Sequence, residues 1–163
     1  MSVCLLGIES GHQAESVQRL AHDPGKNLWV PRFSPGRQWV TFVAVDVEGG
    51  PTSRVYVAPA TGGDWTPVTE GHSFDDKPRW SPDGRTIYFI SSRDGWLNVW
   101  GRRFDPVAGR PEGEGFQVTS FAGQERSLPS QMSRLEFGVT DDRLYLPLTD
   151  MQANLWILDQ VDR

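Results

Sequence analysis

Short runs in which apolar and polar residues alternate recur along the chain, and most are bounded by glycine, proline, asparagine or aspartate. The two clearest runs are residues 39–43 (WVTFV) and 86–90 (TIYFI). Each follows a copy of one phrase, PRFSPGR at residues 31–37 and PRWSPDGR at residues 78–85, and the copies begin 47 residues apart. Alternation of this kind places successive side chains on opposite faces of a β-strand. The chain is therefore predicted to repeat a unit made of short strands.

A repeat of this length is typical of a β-propeller, in which four-stranded blades surround a central channel. We predict an all-β chain whose blades have four antiparallel strands each and form an incomplete propeller. The predicted division is a half blade over residues 1–26, whole blades over 27–70 and 71–120, and a partial blade over 121–163.

Within the second whole repeat, the fourth strand is predicted at residues 116–119, after a loop over residues 105–115 that is rich in glycine and proline. The partial blade at the C-terminal end is predicted to have strands at residues 134–139, 144–149 and 154–158. The chain gives little sign of helix. Only residues 12–20 could form a turn or two of helix, and a β-branched valine disfavours it there.

The turn between the first two strands of the second repeat is predicted from its residue types. Pro82 presets its own φ, Asp83 can bond to nearby amides, and Gly84 accepts a positive φ. The first repeat lacks the aspartate, so its turn is expected to be one residue shorter or reshaped. Valine is expected to be far more harmful at Gly84 than at Gly49, which lies in a longer loop.

Composition limits the classes of partner. The chain has 16 basic and 21 acidic residues, a formal charge of -5 and no basic run, which argues against nucleic acid because phosphate binding depends on clustered lysine and arginine. The single cysteine, Cys4, cannot form an intrachain disulfide or a cysteine-based zinc site. The first residues lack a basic leader and a long apolar stretch, so we expect a cytoplasmic protein without a membrane partner.

No sequence motif indicates catalysis or a metal. The repeated serines Ser34 and Ser81 lie outside any Gly-x-Ser-x-Gly elbow, and the three histidines have no metal-ligand spacing. The pairs at residues 75–76 and 141–142 lack the alternating oxygen ligands of a calcium loop. His72 in a Gly-His pair is better explained by a bond within the blade. We therefore expect no catalytic residue, no metal and no cofactor.

Residues 81–85 (SPDGR), the apolar strand after them, the turn at residues 91–95 (SSRDG) and residues 98–100 (NVW) resemble the TolB-type repeat, a WD-repeat-like unit of propellers. Residues 153–159 resemble the C-terminal end of bacterial propellers fused to serine/threonine kinase or winged-helix DNA-binding domains. No kinase or helix-turn-helix signature accompanies them. The resemblance implies a sensing or protein-binding propeller.

In propellers, the loops between blades and those between second and third strands gather on one face. Loops on a rigid scaffold are a common place for binding. Here these loops are residues 46–52, 70–77, 93–97, 121–129 and 150–153. They predict a surface for a protein partner or a small ligand that consists of His72, Phe74, Asp75, Asp76, Lys77, Arg93, Asp94, Trp96, Glu125 and Arg126. Trp96 has no counterpart in the first repeat and is the aromatic residue best suited to an interface.

The preferred functional interpretation is a non-catalytic propeller module, not an enzyme, for protein–protein or small-ligand binding or sensing. The alternatives are the remnant of a prolyl-oligopeptidase-like hydrolase and a glycan-binding propeller that uses loop carboxylates. The partial blades at the two ends are nearly complementary, which favours a homodimer that completes a six-bladed propeller. The other possibility is a fragment of a longer propeller.

Overall fold

A computed structural model describes residues 1–6, 17–123 and 125–150. Across these ranges the secondary structure consists of β-strands without any helix, so no helix there is suited to crossing a membrane. An N-terminal hairpin pairs β1 (Ser2–Leu6) with β2 (Val17–His22) in antiparallel fashion. The all-β class predicted from the alternating runs is confirmed.

Two four-stranded antiparallel sheets follow the hairpin, each with its strands in sequence order. Blade 1 consists of β3 (Lys26–Phe33), β4 (Trp39–Asp46), β5 (Arg54–Pro59) and β6 (Thr66–Pro67). Blade 2 consists of β7 (Asp75–Trp80), β8 (Thr86–Ser91), β9 (Asn98–Asp105) and β10 (Arg110–Gln117). The last described segment adds short strands β11 (Arg126–Ser127), β12 (Gly138–Val139), β13 (Leu144–Tyr145) and β14 (Thr149–Asp150). Successive antiparallel strands in one sheet are the architecture of a propeller blade, as predicted.

Three apolar clusters hold these units face to face. The first lies between the N-terminal hairpin and blade 1, the second between the two blades, and the third between blade 2 and the segment that follows it. Burial of this apolar surface is the main source of stability. Representative members of the three clusters, in order, are Leu20, Leu28 and Phe42; Val57, Ile87 and Phe104; and Val99, Leu135 and Phe137.

A serine shapes the turn between the first and second strands of each blade. The hydroxyls of Ser34 and Ser81 accept the N–H group of the residue that begins the next strand, at 3.2 and 2.9 Å. The residue with a positive φ in this turn is Arg37 (57°) in blade 1 and Gly84 (69°) in blade 2. These residues also lie 47 positions apart. The first turn is therefore not shortened: it keeps the same length with different residues.

The positive φ predicted for Gly84 is confirmed, but it does not separate Gly84 from Gly49. Gly49 also has a positive φ, 80°, although its loop is longer. A Cβ atom at Gly84 would meet only the Pro35 Cδ atom at 3.6 Å, and one at Gly49 would meet nothing within 4 Å. Backbone conformation, and not space, limits both positions, so valine is disfavoured at each of them.

Two predicted stretches differ in extent. Most of the loop predicted at residues 105–115 belongs to β10, because pairing with β9 continues on both sides of a register shift between Glu112 and Phe116. In the C-terminal segment, β12 and β13 pair with each other but cover only short parts of the strands predicted at residues 134–139 and 144–149. The short strand β14 pairs with β11 and not with β13. The strand predicted at residues 154–158 lies outside the described residues. Of the possible helical turn at 12–20, the described part, residues 17–20, belongs to β2.

The first strands of the two blades carry a bulge at the same place. The register of β3 against β4 shifts after Trp29, and that of β7 against β8 shifts after Asp76. The next residue in each strand has a positive φ without being glycine: Val30 at 53° and Lys77 at 55°. A bulge bends the strand and re-aims the side chains beyond it. Backbone strain therefore recurs at equivalent positions of β3 and β7, the first strands of the two blades.

Candidate functional site

The loops at the end of the blades where β7 begins are joined by hydrogen bonds. The Ser53 hydroxyl, from the loop after β4, accepts the Asp75 N–H at 2.8 Å and donates to the Asp75 carbonyl at 2.6 Å. The Ser92 hydroxyl, from the loop after β8, accepts the Phe74 N–H at 3.2 Å. The structure thus brings together three of the loops predicted to share a face.

Two residues of the predicted surface, Asp75 and Arg93, meet in an internal network. The Arg93 guanidinium lies 3.4 Å from the Asp75 carboxylate and 3.7 Å from that of Glu70. It also lies over the rings of Phe89 and Trp100, with centroid distances of 5.2 and 4.8 Å. The Asp75 side chain is only 1% exposed. Asp75 and Arg93 therefore stabilise the contact between blade 1 and blade 2, and Asp75 offers no surface to a ligand.

Most other residues of the predicted loop surface are exposed, and some of them also form bonds within the loops. Asp94 holds its own turn, where its carboxylate accepts bonds from the side-chain amides of Asn98 at 2.9 Å and Gln117 at 2.7 Å. Trp96 is 38% exposed at the tip of the same turn. Phe74 is half-buried, while His72, Glu125 and Arg126 are exposed, and Arg126 pairs with Asp150 at 2.7 Å. Whether these exposed residues bind anything stays a prediction.

A second cluster, called the inner cluster below, lies on β7, the first or inner strand of blade 2. The Lys77 ammonium contacts the Oε1 atom of Glu136 at 3.1 Å, and the Arg79 guanidinium contacts the Oε2 atom of the same side chain. Arg79 also donates its Nε–H to the Phe137 carbonyl at 2.9 Å. Asp76 accepts the Lys77 backbone N–H at 2.7 Å. Asp76 and Lys77, placed by sequence among the loop residues, therefore belong to β7 and contribute to this inner cluster.

Burial and charge perturb the groups of this inner cluster. Burial raises the pKa of Asp76, against the opposing effects of its hydrogen bond from the Lys77 amide and of the Lys77 charge. Burial and then the nearby Arg32 charge lower the pKa of Arg79. For Glu136, burial acts to raise the pKa, but the hydrogen bond from Lys77 and the charges of Arg79, Lys77 and Arg32 outweigh it, and the pKa is lowered. The inner cluster thus combines the cations of Arg32, Lys77 and Arg79 with the carboxyl groups of Asp76 and Glu136.

Sequence reasoning missed Arg79 and Glu136 as members of a site. Arg79 occupies the same place in the repeated phrase as Arg32, and this repeated Pro-Arg pair was the available signal. Both arginines donate an Nη1–H to the carbonyl of the preceding proline at 2.9 Å. Nothing in the sequence pairs Glu136 with Lys77, because the two residues lie 59 positions apart in the chain.

Metal chemistry has no candidate among residues 1–6, 17–123 and 125–150. Within these ranges no group of three or more histidine, cysteine, aspartate or glutamate side chains is placed to hold an ion. Cys4 is exposed. The absence of a metal and of a cofactor stays a prediction.

Comparison with known proteins connects the chain to hydrolases. No family model matches it. An uncharacterized peptidase of Bacillus subtilis, YuxL, is 35% identical over 68 residues, which is 40% of this chain and 10% of that protein. Dipeptidyl-peptidase 5 of Porphyromonas gingivalis is 27% identical over 73 residues, which is 43% of this chain and 11% of that protein. The match therefore spans about a tenth of each of these peptidases.

Among solved structures, the likeness to puromycin hydrolase bears on the fold. Puromycin hydrolase matches 81% of this chain with a TM-score of 0.62 and 20% identity, and the match covers 20% of that chain. TolB from Acinetobacter baumannii matches 84% of this chain at 13% identity with a TM-score of 0.40. The likeness to puromycin hydrolase supports the propeller fold predicted from the repeats.

The expectation that the chain does not belong to an enzyme is wrong. Its relatives include two named peptidases, each matched over about a tenth of its own length. The missing nucleophile elbow is no argument against an enzyme, because the matched segment is about a tenth of each peptidase and need not contain the catalytic residues.

Proposed function

We propose that the chain is the propeller portion of a peptidase-type hydrolase, in which the blades bind peptides and select those that reach the catalytic groups. The observation that carries this proposal is the sequence match to two named peptidases, over 68 and 73 residues of this chain. On this proposal the nucleophile and its base belong to a different domain from the blades.

The polar inner strands are consistent with this role. The first strand of a propeller blade lines the central channel, and β3 and β7 are the first strands of blades 1 and 2. They carry Arg32, Lys77 and Arg79, which would meet any peptide that enters the channel. Charged groups in such a position select ligands by electrostatic complementarity.

Labelling of the active-site serine tests the proposal. An affinity tag is added to the gene for this chain in its native host, and the lysate is treated with a fluorophosphonate, which reacts with activated serines. We expect a labelled serine hydrolase on the tagged polypeptide, or on a protein that co-purifies with it. The same tag on an unrelated protein is the control. If the tagged material carries no label while other hydrolases in the lysate do, the proposal fails.

Two further expectations stay predictions. One is a protein partner or small ligand on the exposed loop surface around Trp96, in the manner of a sensing propeller. The other is a homodimer that completes a six-bladed ring. Light scattering at micromolar concentration addresses the second, since a stable monomer near 18.3 kDa contradicts it.

A further inference from the structure

The contacts of Glu136 outline a cradle for a carboxylate on the inner strand of blade 2. Lys77 contacts one oxygen of this side chain at 3.1 Å and Arg79 contacts the other, so each carboxylate oxygen has its own cation. The Arg79 guanidinium is held from other sides by the carbonyls of Phe137 and Pro78, both at 2.9 Å. Two positioned cations that share one planar carboxylate form a pre-organised site for that group.

The cations and the carboxylate differ sharply in exposure. The side chains of Lys77 and Arg79 are 13% and 14% exposed, whereas that of Glu136 is 57% exposed. Cations that have lost part of their hydration bind a carboxylate more strongly than fully exposed ones do. An exposed glutamate gains little from such a pair, since its long side chain loses rotamer freedom when it is held. Another carboxylate can therefore compete with Glu136 for the two cations.

A third cation lies beside this cradle. The Trp80 indole donates its N–H to the Arg32 carbonyl at 3.2 Å, so Arg32 of β3 adjoins β7. The charge of Arg32 acts on both Arg79 and Glu136, lowering the pKa of each. Within the described ranges, the structure gives Arg32 no ion pair of its own. Arg32 can therefore add attraction for a ligand without first giving up an ion pair in that part of the chain.

We propose that Arg32, Lys77 and Arg79 bind the carboxylate of a peptide, and that Glu136 occupies this cradle until the ligand displaces it. The exchange replaces one carboxylate by another, so it leaves no cation without a partner. The choice of a peptide as ligand rests on the proposed function, whereas the cradle itself rests on the contacts described above. The carboxylate can belong to the C-terminus of the peptide or to an acidic side chain.

Calorimetric titration of the 163-residue chain at low salt tests the cradle. The three probes are N-acetylated tripeptides: triglycine with a free C-terminus, Gly-Glu-Gly amide, and triglycine amide, which has no carboxylate. We expect at least one carboxylate peptide to bind about tenfold or more tightly than the amide, which corresponds to about 1.4 kcal/mol. The carboxylate peptide that binds identifies the source of the group. Glu136→Gln should tighten its binding about tenfold, because the internal competitor is removed.

Charge-matched variants decide whether the effect is local. Arg79→Gln should abolish the preference for a carboxylate, whereas Arg110→Gln, an equal change of charge on the exposed edge of blade 2, should leave it intact. Equal binding of acid and amide by the Glu136→Gln chain, or no binding by it at millimolar peptide, overturns the proposal. So does an equal loss from the two arginine variants. If Arg79→Gln does not fold by circular dichroism, the Glu136→Gln titrations decide alone. These titrations measure binding and not hydrolysis, so their failure is separate from failure of the serine-labelling experiment.

Discussion

Blades 1 and 2 have the same backbone conformation at two places where their residues differ. In the turn after the first strand, Arg37 and Gly84 both have a positive φ, although only glycine adopts it at no steric cost. The serine at the start of each turn makes the same hydrogen bond in both blades. The shared serine and proline therefore hold the turn, and the residue at the strained position can vary at some cost in stability.

The second place is the bulge in the first strand, and here the difference concerns function. Blade 1 has Trp29 and Val30 where blade 2 has Asp76 and Lys77. The same bend thus supports an apolar pair in one blade and a charged pair in the other. Lys77 of the charged pair forms an ion pair with Glu136 in the segment after blade 2. The comparison indicates that the repeat maintains the scaffold while the bulge sets the chemistry of each inner strand.

The largest expected effect tests whether the apolar packing of blade 1 is as important for stability as that of blade 2. Phe42 and Phe89 occupy matching positions in the second strands and are 0% and 1% exposed. Replacing either by alanine should lower the free energy of unfolding by about 3–5 kcal/mol, because each leaves a cavity between packed sheets. Urea unfolding measures both, with Val107→Ala, at 93% exposure, as the control. A much smaller loss for Phe42→Ala would mean that the hairpin packs loosely on blade 1.

The next effect concerns the turn that both blades share. Gly84→Ala should destabilise by about 1–2 kcal/mol, since alanine at a φ of 69° is strained even though space is available. Gly36→Ala is the matched control in blade 1, because Gly36 has no positive φ and a Cβ atom there meets nothing within 4 Å. Thermal unfolding of the two variants compares them, and equal losses would contradict the assignment of strain to Gly84.

The reverse substitution should stabilise blade 1. Arg37→Gly removes the left-handed strain of a non-glycine residue but makes the unfolded chain more flexible, so the expected gain is about 0.5–1 kcal/mol. The exposed Arg85→Gly serves as the control, since glycine there brings only the entropic cost. Chemical denaturation should show opposite signs for the two changes. A loss of stability in Arg37→Gly would show that the arginine side chain compensates for its backbone strain.

The smallest effect tests the bulge through its pH dependence. Burial raises the pKa of Asp76 above its ordinary value of 3.8, so the protonated form favours the folded state. Its contribution to stability is complete below pH 3.8 and is lost as the pH rises through the folded-state pKa. Asp76→Asn should therefore melt at a higher temperature than the parent near neutral pH, with the gap closing by about pH 3. Melting temperatures across this range check it, and an equal gap at both ends would contradict it.

Local features of the sequence determined the blades. The alternating runs, the Ser-Pro turns and the 47-residue spacing depend on residues close together in the chain, where backbone preferences act directly. The predicted loop surface was placed by the same logic, and hydrogen bonds join three of its five predicted loops. The sequence could not show that Asp75 and Arg93 are used internally, because alternation indicates which face a side chain occupies but not which side chain lies opposite.

Which residues meet in the inner cluster was determined only by the tertiary structure. Lys77 and Glu136 are 59 positions apart and meet because blade 2 packs against the segment after it. A carboxylate becomes a partner of two cations only when backbone geometry brings them within a few ångströms, and one sequence contains no record of that distance. The bulge is similar, since Val30 and Lys77 have residue types that do not predict a positive φ. Packing between the sheets supplies the energy that holds both residues there.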